Sequence, residues 1–266
     1  MMQDSKRRTI CFVADDYGES LATNKAIEHA CEAKVIRSVT IVGSPDAVYS
    51  EEFLKSTDIA SGIHLYLTDY EPLTPIVKGA LGENGAIRKQ QILLARLCGR
   101  LSHKHLLLEF EAQLTRLRDA GIEPTFVDSH QNVHSLLLIR PAVMEFARRH
   151  GLSAAIRPAA QIAFDLRPTA RTILSLLDRD VATFRTRPRT VVGCPGYHEQ
   201  TIDMDEYLQK WKVFLQRVSR RSCSNLFVPC HPGLSPVEVE LYTSERFCRL
   251  ISNHELIMTK ATGEVI

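Results

Sequence analysis

The fold of this chain is decided by the stretch Thr9-Ile10-Cys11-Phe12-Val13-Ala14-Asp15-Asp16-Tyr17-Gly18. Its apolar residues, several of them β-branched or aromatic, predict a short strand that is buried on both faces. Such strands belong mostly to parallel sheets, in which functional residues lie beyond the carboxyl ends of the strands. Two adjacent carboxylates at such an end repel each other unless a positive charge lies beside them. Asp15 and Asp16 therefore have two interpretations: a site where one binds a divalent metal and the other moves protons, or a turn or helix cap.

The size and composition of the chain are those of an ordinary globular protein. It has 266 residues, of which 44% are hydrophobic and 24% charged. This length suits one α/β barrel or two small domains, and the absence of repeats and of a linker-like composition favours a single domain over 1–266. The formal net charge is only +2, so bulk charge predicts neither a nucleic-acid nor a membrane partner.

The cysteines and the first residues of the chain bear on its compartment. The seven cysteines are scattered and form no CxxC pair, which favours a reducing compartment over a disulfide framework. A basic prefix precedes the first apolar run, but that run is too short for a signal peptide and ends at Asp15. No stretch approaches the length of a transmembrane span. We therefore expect a cytoplasmic protein.

Further along the chain, predicted strands and helices alternate. The β-α-β-α-β order at the start implies parallel strands joined by right-handed crossovers, so the predicted fold class is α/β with about seven strands. A helix is predicted from Asp46 to Lys55, and a long loop or lid over 68–87, where proline and glycine recur. The last predicted helix runs from about Thr243 to Ser252. The remaining predicted strands are Ile36–Gly43, Ile59–Leu67, Pro124–His130, Ser153–Arg157, Thr190–Cys194 and Asn225–Cys230.

Acidic residues and histidines recur at the ends of these strands. Asp15 and Asp16 follow the first strand, His64 lies near the end of the third, His130 ends the fourth and His231 follows the last. In a barrel of parallel strands all of them would lie at the same face of the barrel, whereas ordinary core histidines should be scattered along their elements. One aspartate and two histidines with open positions make a site for a catalytic divalent metal.

The segment around His130 leaves two further roles open. His134 lies four residues on and would share a helical face with His130, as a fourth ligand or as part of the substrate cleft. Asp128 alternates onto the same strand face as His130, so it either orients that ring or is a turn residue.

Four motifs in this order resemble the YdjC/ChbG-type carbohydrate deacetylases, and the resemblance extends from Ile10 to about Asn253. The motifs are Ala14-Asp15-Asp16-Tyr17-Gly18, Gly62-Ile63-His64-Leu65, Asp128-Ser129-His130 through Val133-His134, and Cys230-His231-Pro232-Gly233.

The resemblance implies a distorted, TIM-barrel-like (β/α) barrel that removes acetyl groups from N-acetylated amino sugars. By motif position, Asp16, His64 and His130 would bind one divalent metal ion, Zn²⁺ or Mg²⁺. Asp15 would be the catalytic base, and His231 would face the scissile amide from the opposite side, where we assign it as the general acid. The expected partner is the sugar substrate, and formation of a homodimer is left open.

The substrate is less defined than the chemistry. Where the family often has further histidines after the metal-binding one, this chain has Gln131-Asn132. Chito-oligosaccharides, a glycolipid and an antibiotic intermediate all remain candidate substrates. Contacts with the sugar are predicted for His134, as part of the cleft, and for three further residues whose alternative role is packing or a surface salt bridge; these are Tyr66, Asn132 and Arg157.

Two other functions use similar residues. A metal-dependent phosphoesterase on a barrel scaffold uses similar ligands, but such sites often hold two metals and extra carboxylates. A non-catalytic carbohydrate-binding barrel would be favoured by loss of Asp15 or His231, and both are present. The ligands found suffice for one metal, which favours amide hydrolysis.

Overall fold

The computed structural model describes residues 9–55, 58–81, 87–154, 190–191, 202–219, 225–234, 236–254 and 256–262. Arg157 and most of the region 155–200 lie outside these residues. The strands are β1 Thr9–Tyr17, β2 Ile36–Ile41, β3 Ala60–Leu65, β4 Phe126–Ser129, β5 Ser153–Ala154, β6 Thr190–Val191, β7 Asn225–Cys230 and β8 Ile257–Met258. The helices are α1 Leu21–Glu32, α2 Glu51–Leu54, α3 Pro75–Leu81, α4 Lys89–Leu97, α5 His103–Asp119, a 3₁₀ helix His130–Ser135, α6 Arg140–Arg149, α7 Met204–Ser219, α8 Pro236–Thr243 and α9 Glu245–Ser252.

All the described strand pairs are parallel, which confirms the predicted α/β class. The sheet has the order β5-β4-β3-β2-β1-β7-β6, and β8 pairs with β1. Its five longer strands form a curled half-barrel, consistent with a distorted barrel. The prediction of about seven barrel strands stays a prediction.

Strand β1 is an inner strand of the sheet, paired with β2, β7 and β8, and it is buried on both faces, as its composition predicts. Phe12 packs within 6 Å, between ring centroids, of the rings of Trp211, Tyr242 and Phe247 on α7, α8 and α9. The adjacent Cys11 and Val13 belong to a second, smaller cluster that includes Phe126 and Phe227. Burial of this apolar surface on both sides stabilises the strand and fixes where its last residues lie.

Three elements differ from the predictions. The helix predicted over Asp46–Lys55 is limited to α2, because Ser50 caps it by accepting a hydrogen bond from the Phe53 N–H. The predicted loop over 68–87 contains α3, whose start is stabilised by the buried Glu109 carboxylate on α5. Helix α8 has no counterpart among the predicted elements.

Among the described residues, no helix is both long enough and apolar enough to cross a membrane.

Candidate metal centre and active site

Three side chains from separate strand ends meet at the carboxyl edge of the sheet. Asp16 Oδ1 lies 3.2 Å from His64 Nε2 and 2.9 Å from His130 Nδ1. The candidate ligand atoms of these residues, which we call the triad, all lie within 4.8 Å of one another. The structure thus brings together the residues for which the family resemblance implies metal binding. Among the described residues, the triad is the one such group of three that could hold an ion.

The backbone of β1 explains how two adjacent carboxylates reach one site. Successive residues of a regular strand point to opposite faces of the sheet. The register between β1 and β2 shifts between Ala14 and Tyr17, and Asp16 has a φ of 69° at this irregularity. A bulge of this kind redirects a side chain, so Asp15 and Asp16 both face the site.

Unusual backbone conformations are concentrated around the triad. Among the described residues, five that are not glycine have a positive φ, and only Lys34 lies elsewhere. The other four are Asp16, Asp69, Gln131 and Asn132. Such conformations cost free energy and persist where the surrounding structure enforces them, often at functional sites. The Gln131-Asn132 pair also turns the chain directly after His130, so that the helix there is a short 3₁₀ turn with a kink.

Opposing effects set the pKa of Asp16. Burial alone would raise it, but hydrogen bonds from His130 and His64, together with their positive charge, hold the pKa of Asp16 well below its usual range. Asp16 is therefore an anion, which is the form that binds a cation.

The pKa of Asp15 is shifted in the opposite direction, above its usual value. Burial raises the pKa of Asp15 to about 7, and the charges of Asp128 and Asp16 add to this effect, against the opposing influence of His64 and Thr40. Burial lowers the pKa of His64, yet the carboxylates of Asp15, Asp16 and Asp128 outweigh it and raise the value to about 9. A carboxyl that titrates near neutral pH suits a group that takes up and releases protons.

His231 lies on the other side of Asp15. Its Nε2 atom is 3.7 Å from Asp15 Oδ2, and its backbone N–H donates to the buried carboxylate of Glu238 at 2.7 Å. Gly233 lets this segment approach α1, because a Cβ atom there would lie 2.6 Å from Thr23 Cγ2. The predicted base and acid are therefore neighbours beside the triad.

Asp69, which the sequence did not single out, also belongs to the site. Its Oδ2 atom lies 3.1 Å from His130 Nε2 and also accepts a hydrogen bond from the Gln131 side chain. The Asp69 loop is held by α5, since Gln113 bonds to the backbone of Tyr66 and Glu109 accepts from the N–H of Leu73. A carboxylate on the far nitrogen of a ligating histidine orients the ring and raises its basicity.

We expect Asp69→Asn to weaken divalent metal binding by about 10–100-fold, because neutralising such a carboxylate lowers the basicity of the histidine. Asparagine tolerates the positive φ of this position, so the loop should be retained. Chelator competition measures the dissociation constant. Glu71→Gln is the matched control, because Glu71 is in the same loop and pairs with Lys78 instead. Equal weakening by both variants would contradict a specific role for Asp69.

Asp128 and His134 pair with each other. Of the two roles left open for Asp128, orienting the ring of His130 does not match the contacts, because Asp128 Oδ1 lies 3.3 Å from His134 Nδ1, and His130 is bonded to Asp16 and Asp69. His134 is fully buried, and Ser129 Oγ lies 2.6 Å from its Nδ1. The triad does not include His134 as a fourth ligand.

The remaining predicted sugar contacts stay predictions. Tyr66 is buried, and its hydroxyl donates to the Glu71 carbonyl at 3.3 Å. Asn132 is half-buried and forms part of the kink after His130. His134 contacts protein groups, and Arg157 lies outside the described residues.

The triad fits a divalent ion by the chemistry of its donors. It offers one carboxylate oxygen and two imidazole nitrogens, the mixture that zinc binds at catalytic sites, where further positions stay open for water or substrate. The two histidines present different nitrogens to the centre, Nε2 of His64 and Nδ1 of His130, and each has its other nitrogen hydrogen-bonded to protein.

Comparison with known proteins gives one family and several relatives. The sequence profile of a family described as YdjC-like protein matches residues 9–256, in agreement with the resemblance predicted from the four motifs. The chain is 30% identical over 230 residues to a chitooligosaccharide deacetylase of Klebsiella pneumoniae, covering 85% of this chain and 82% of that protein. It is 27% identical over 256 residues to a carbohydrate deacetylase of Geobacillus stearothermophilus, covering 95% and 90% respectively.

A solved structure shares the fold. A putative cellobiose-phosphate cleavage protein from Enterococcus faecalis superposes with a TM-score of 0.71 at 21% identity, over 96% of this chain and 97% of that one. This similarity supports the α/β architecture alone.

Proposed function

This chain belongs to the YdjC-like protein family, and we propose that it is a carbohydrate deacetylase that uses one divalent metal ion. The reaction is hydrolysis of the acetamide of an N-acetylated amino sugar to a free amine and acetate. The observation that carries this proposal is the convergence of Asp16, His64 and His130 beside the Asp15–His231 pair. Two relatives that cover most of the chain are named deacetylases of carbohydrates, which supports the same reaction.

The residues divide the chemistry between them. A divalent ion held by the triad would supply a Lewis acid that polarises the acetyl carbonyl and makes a water molecule more acidic. Asp15 takes a proton from the attacking water, because its carboxylate lies beside the triad. The carbon–nitrogen bond then breaks, and His231 donates a proton to the departing amine, which leaves poorly as an anion. Water thus provides one oxygen of acetate, and the proton that Asp15 takes up balances the proton that His231 gives to the amine.

The donor count supports one metal rather than two. The described residues offer a single group of three ligands, whereas many metal phosphoesterases hold two ions bridged by further carboxylates. Among the candidate substrates, the name of the Klebsiella pneumoniae relative favours chito-oligosaccharides.

We expect the purified protein to release acetate from N-acetylglucosamine oligomers, and a chelator to lower turnover by about 10³-fold or more, since the metal contributes several kcal/mol. Re-addition of Zn²⁺ or Mg²⁺ should restore turnover and identify the preferred ion. The same assay with acetylated glycolipids tests the alternative substrate class. Turnover that survives metal removal would contradict metal dependence, and phosphate-ester hydrolysis without acetate release would contradict deacetylation.

A further inference from the structure

Thr40 is a buried polar residue between the predicted base and a predicted metal ligand. It lies on β2, which pairs with β1 on one side and β3 on the other, and its side chain is fully buried. Its Oγ1 atom is 2.7 Å from Asp15 Oδ1 and 2.9 Å from His64 Nδ1. One hydroxyl therefore contacts both the group assigned to move protons and the group assigned to hold the ion.

The number of hydrogens fixes the direction of both hydrogen bonds. A hydroxyl donates a single hydrogen, and the Thr40 hydroxyl donates to Asp15 Oδ1. The contact with His64 can then be a hydrogen bond only if Nδ1–H of His64 donates to Thr40 Oγ1. In the metal-free protein the Nε2–H of His64 donates to Asp16. A histidine that binds a metal is neutral, so an ion in the triad would take the place of the Nε2 proton, and the remaining proton of His64 is placed on Nδ1.

The same hydroxyl distinguishes the two oxygens of Asp15. Oδ1 is occupied by Thr40, whereas Oδ2 is the oxygen that faces His231 at 3.7 Å. Proton transfer from water is thus directed to Oδ2, which lies next to the group that later donates to the amine.

We propose that Thr40 is a positioning residue that fixes the tautomer of His64 and the orientation of the Asp15 carboxylate at once. This inference rests on the proposed function, because it assigns the metal to Nε2 of His64 and the base to Asp15. It requires a hydroxyl at position 40 and no other property of the side chain. Serine should therefore serve, whereas valine, which has the same shape without the hydroxyl, should not.

Three variants test the proposal: Thr40→Val, Thr40→Ser and the control Ser38→Ala. Ser38 lies two residues earlier on β2, is equally buried, and accepts a hydrogen bond from the Ala261 N–H at 2.7 Å, away from the triad. Its removal reports the cost of losing a buried hydroxyl from the same strand. Thermal unfolding verifies that each variant is folded, and chelator competition gives its Zn²⁺ dissociation constant without reference to activity. Steady-state kinetics at saturating Zn²⁺ separate kcat from KM.

We expect Thr40→Val to weaken Zn²⁺ binding by about 10–100-fold and to lower kcat while KM changes little, as for loss of a partner that orients a ligand. Thr40→Ser should remain within a few-fold of the parent protein in Zn²⁺ affinity and in kcat. Ser38→Ala should lower the unfolding temperature without changing Zn²⁺ affinity. In the Zn²⁺-loaded protein, the ¹⁵N-detected Nδ1–H of His64 should be protected from exchange and lose that protection in Thr40→Val.

Unchanged Zn²⁺ affinity and an unchanged kcat in folded Thr40→Val would overturn the proposal. The proposal would also be overturned if Thr40→Ser lost Zn²⁺ affinity and kcat as Thr40→Val does. If the parent protein binds Zn²⁺ but releases no acetate from any acetylated sugar, the proposed function fails, and the affinities of the variants still decide the role of Thr40. A parent protein that binds no divalent ion would overturn both.

Discussion

Asp16→Asn is expected to abolish tight metal binding and to lower deacetylation by about 10³-fold or more, because the metal contributes several kcal/mol of transition-state stabilisation. The carboxylate oxygen of Asp16 is the atom that both triad histidines approach. Asparagine keeps the size of the side chain and tolerates the φ of 69°, which alanine does not. Equilibrium binding of Zn²⁺ and acetate release are the two measurements.

Asp119→Asn serves as the control for Asp16→Asn, since Asp119 is an exposed carboxylate at the end of α5. It should match the parent protein in metal affinity and turnover. Full turnover by Asp16→Asn would show that the triad is not the metal centre. Loss of turnover with unchanged Zn²⁺ binding would place the metal elsewhere and leave Asp16 with another role.

The meeting of aspartates and histidines could be predicted from the sequence because parallel strands end at a common edge, whereas the choice of Asp16, His64 and His130 as ligands rested on the family resemblance. Asp16, His64 and His130 follow apolar runs that read clearly as strands, and the alternation of strands and helices makes those strands parallel. Their meeting point then follows from topology, without knowledge of any loop. The bulge that brings Asp15 and Asp16 to one site could not be predicted from the sequence. It depends on a φ of 69° at Asp16, and residue type does not indicate a positive φ at a position that is not glycine.

Thr40 and Asp69 could not be identified in this way, for two different physical reasons. Threonine is common in strands because it is β-branched, so one threonine within β2 carries no functional signal. Asp69 depends on a loop whose conformation is set by Glu109 and Gln113, residues far along the chain on α5. The pairing of Asp128 with His134 could not be predicted, because the kink at Gln131 and Asn132 changes the direction of the chain after His130.

Asp15→Asn is expected to lower kcat by about 10²–10⁴-fold, the usual contribution of a general base, while Zn²⁺ binding is retained. The amide oxygen can still accept the hydrogen bond from Thr40, so the local structure should persist. What is lost is the ability to take a proton from water. Acetate release by the Zn²⁺-loaded variant, with Zn²⁺ binding measured in parallel, tests this division of roles between Asp15 and Asp16. Near-normal turnover would exclude Asp15 as the base.

Asp15→Asn should also change how the free energy of unfolding of the metal-free protein depends on pH. The pKa of Asp15 is raised to about 7, so its contribution to folding is fully present below about pH 4, the ordinary value of an aspartate, and is lost as pH rises through 7. The pKa of His64, raised to about 9 partly by Asp15, acts in the same direction at higher pH. Metal-free Asp15→Asn should therefore lose less stability than the parent protein between pH 5 and pH 8.

Unfolding temperatures of both metal-free proteins at pH 5 and pH 8 measure this difference. A relative gain of 1 kcal/mol for Asp15→Asn corresponds to about 2–4 °C in a chain of this size, and parallel pH curves for the two proteins would contradict the raised pKa. Because the charges of Asp16 and Asp128 help to raise the pKa of Asp15, a cation held by the triad would favour the ionised form that acts as a base. Burial of the Asp15 carboxyl destabilises the metal-free protein at neutral pH, because the ionised form is disfavoured there. A bound ion would offset this cost and leave Asp15 ionised, which is the form that acts as the base.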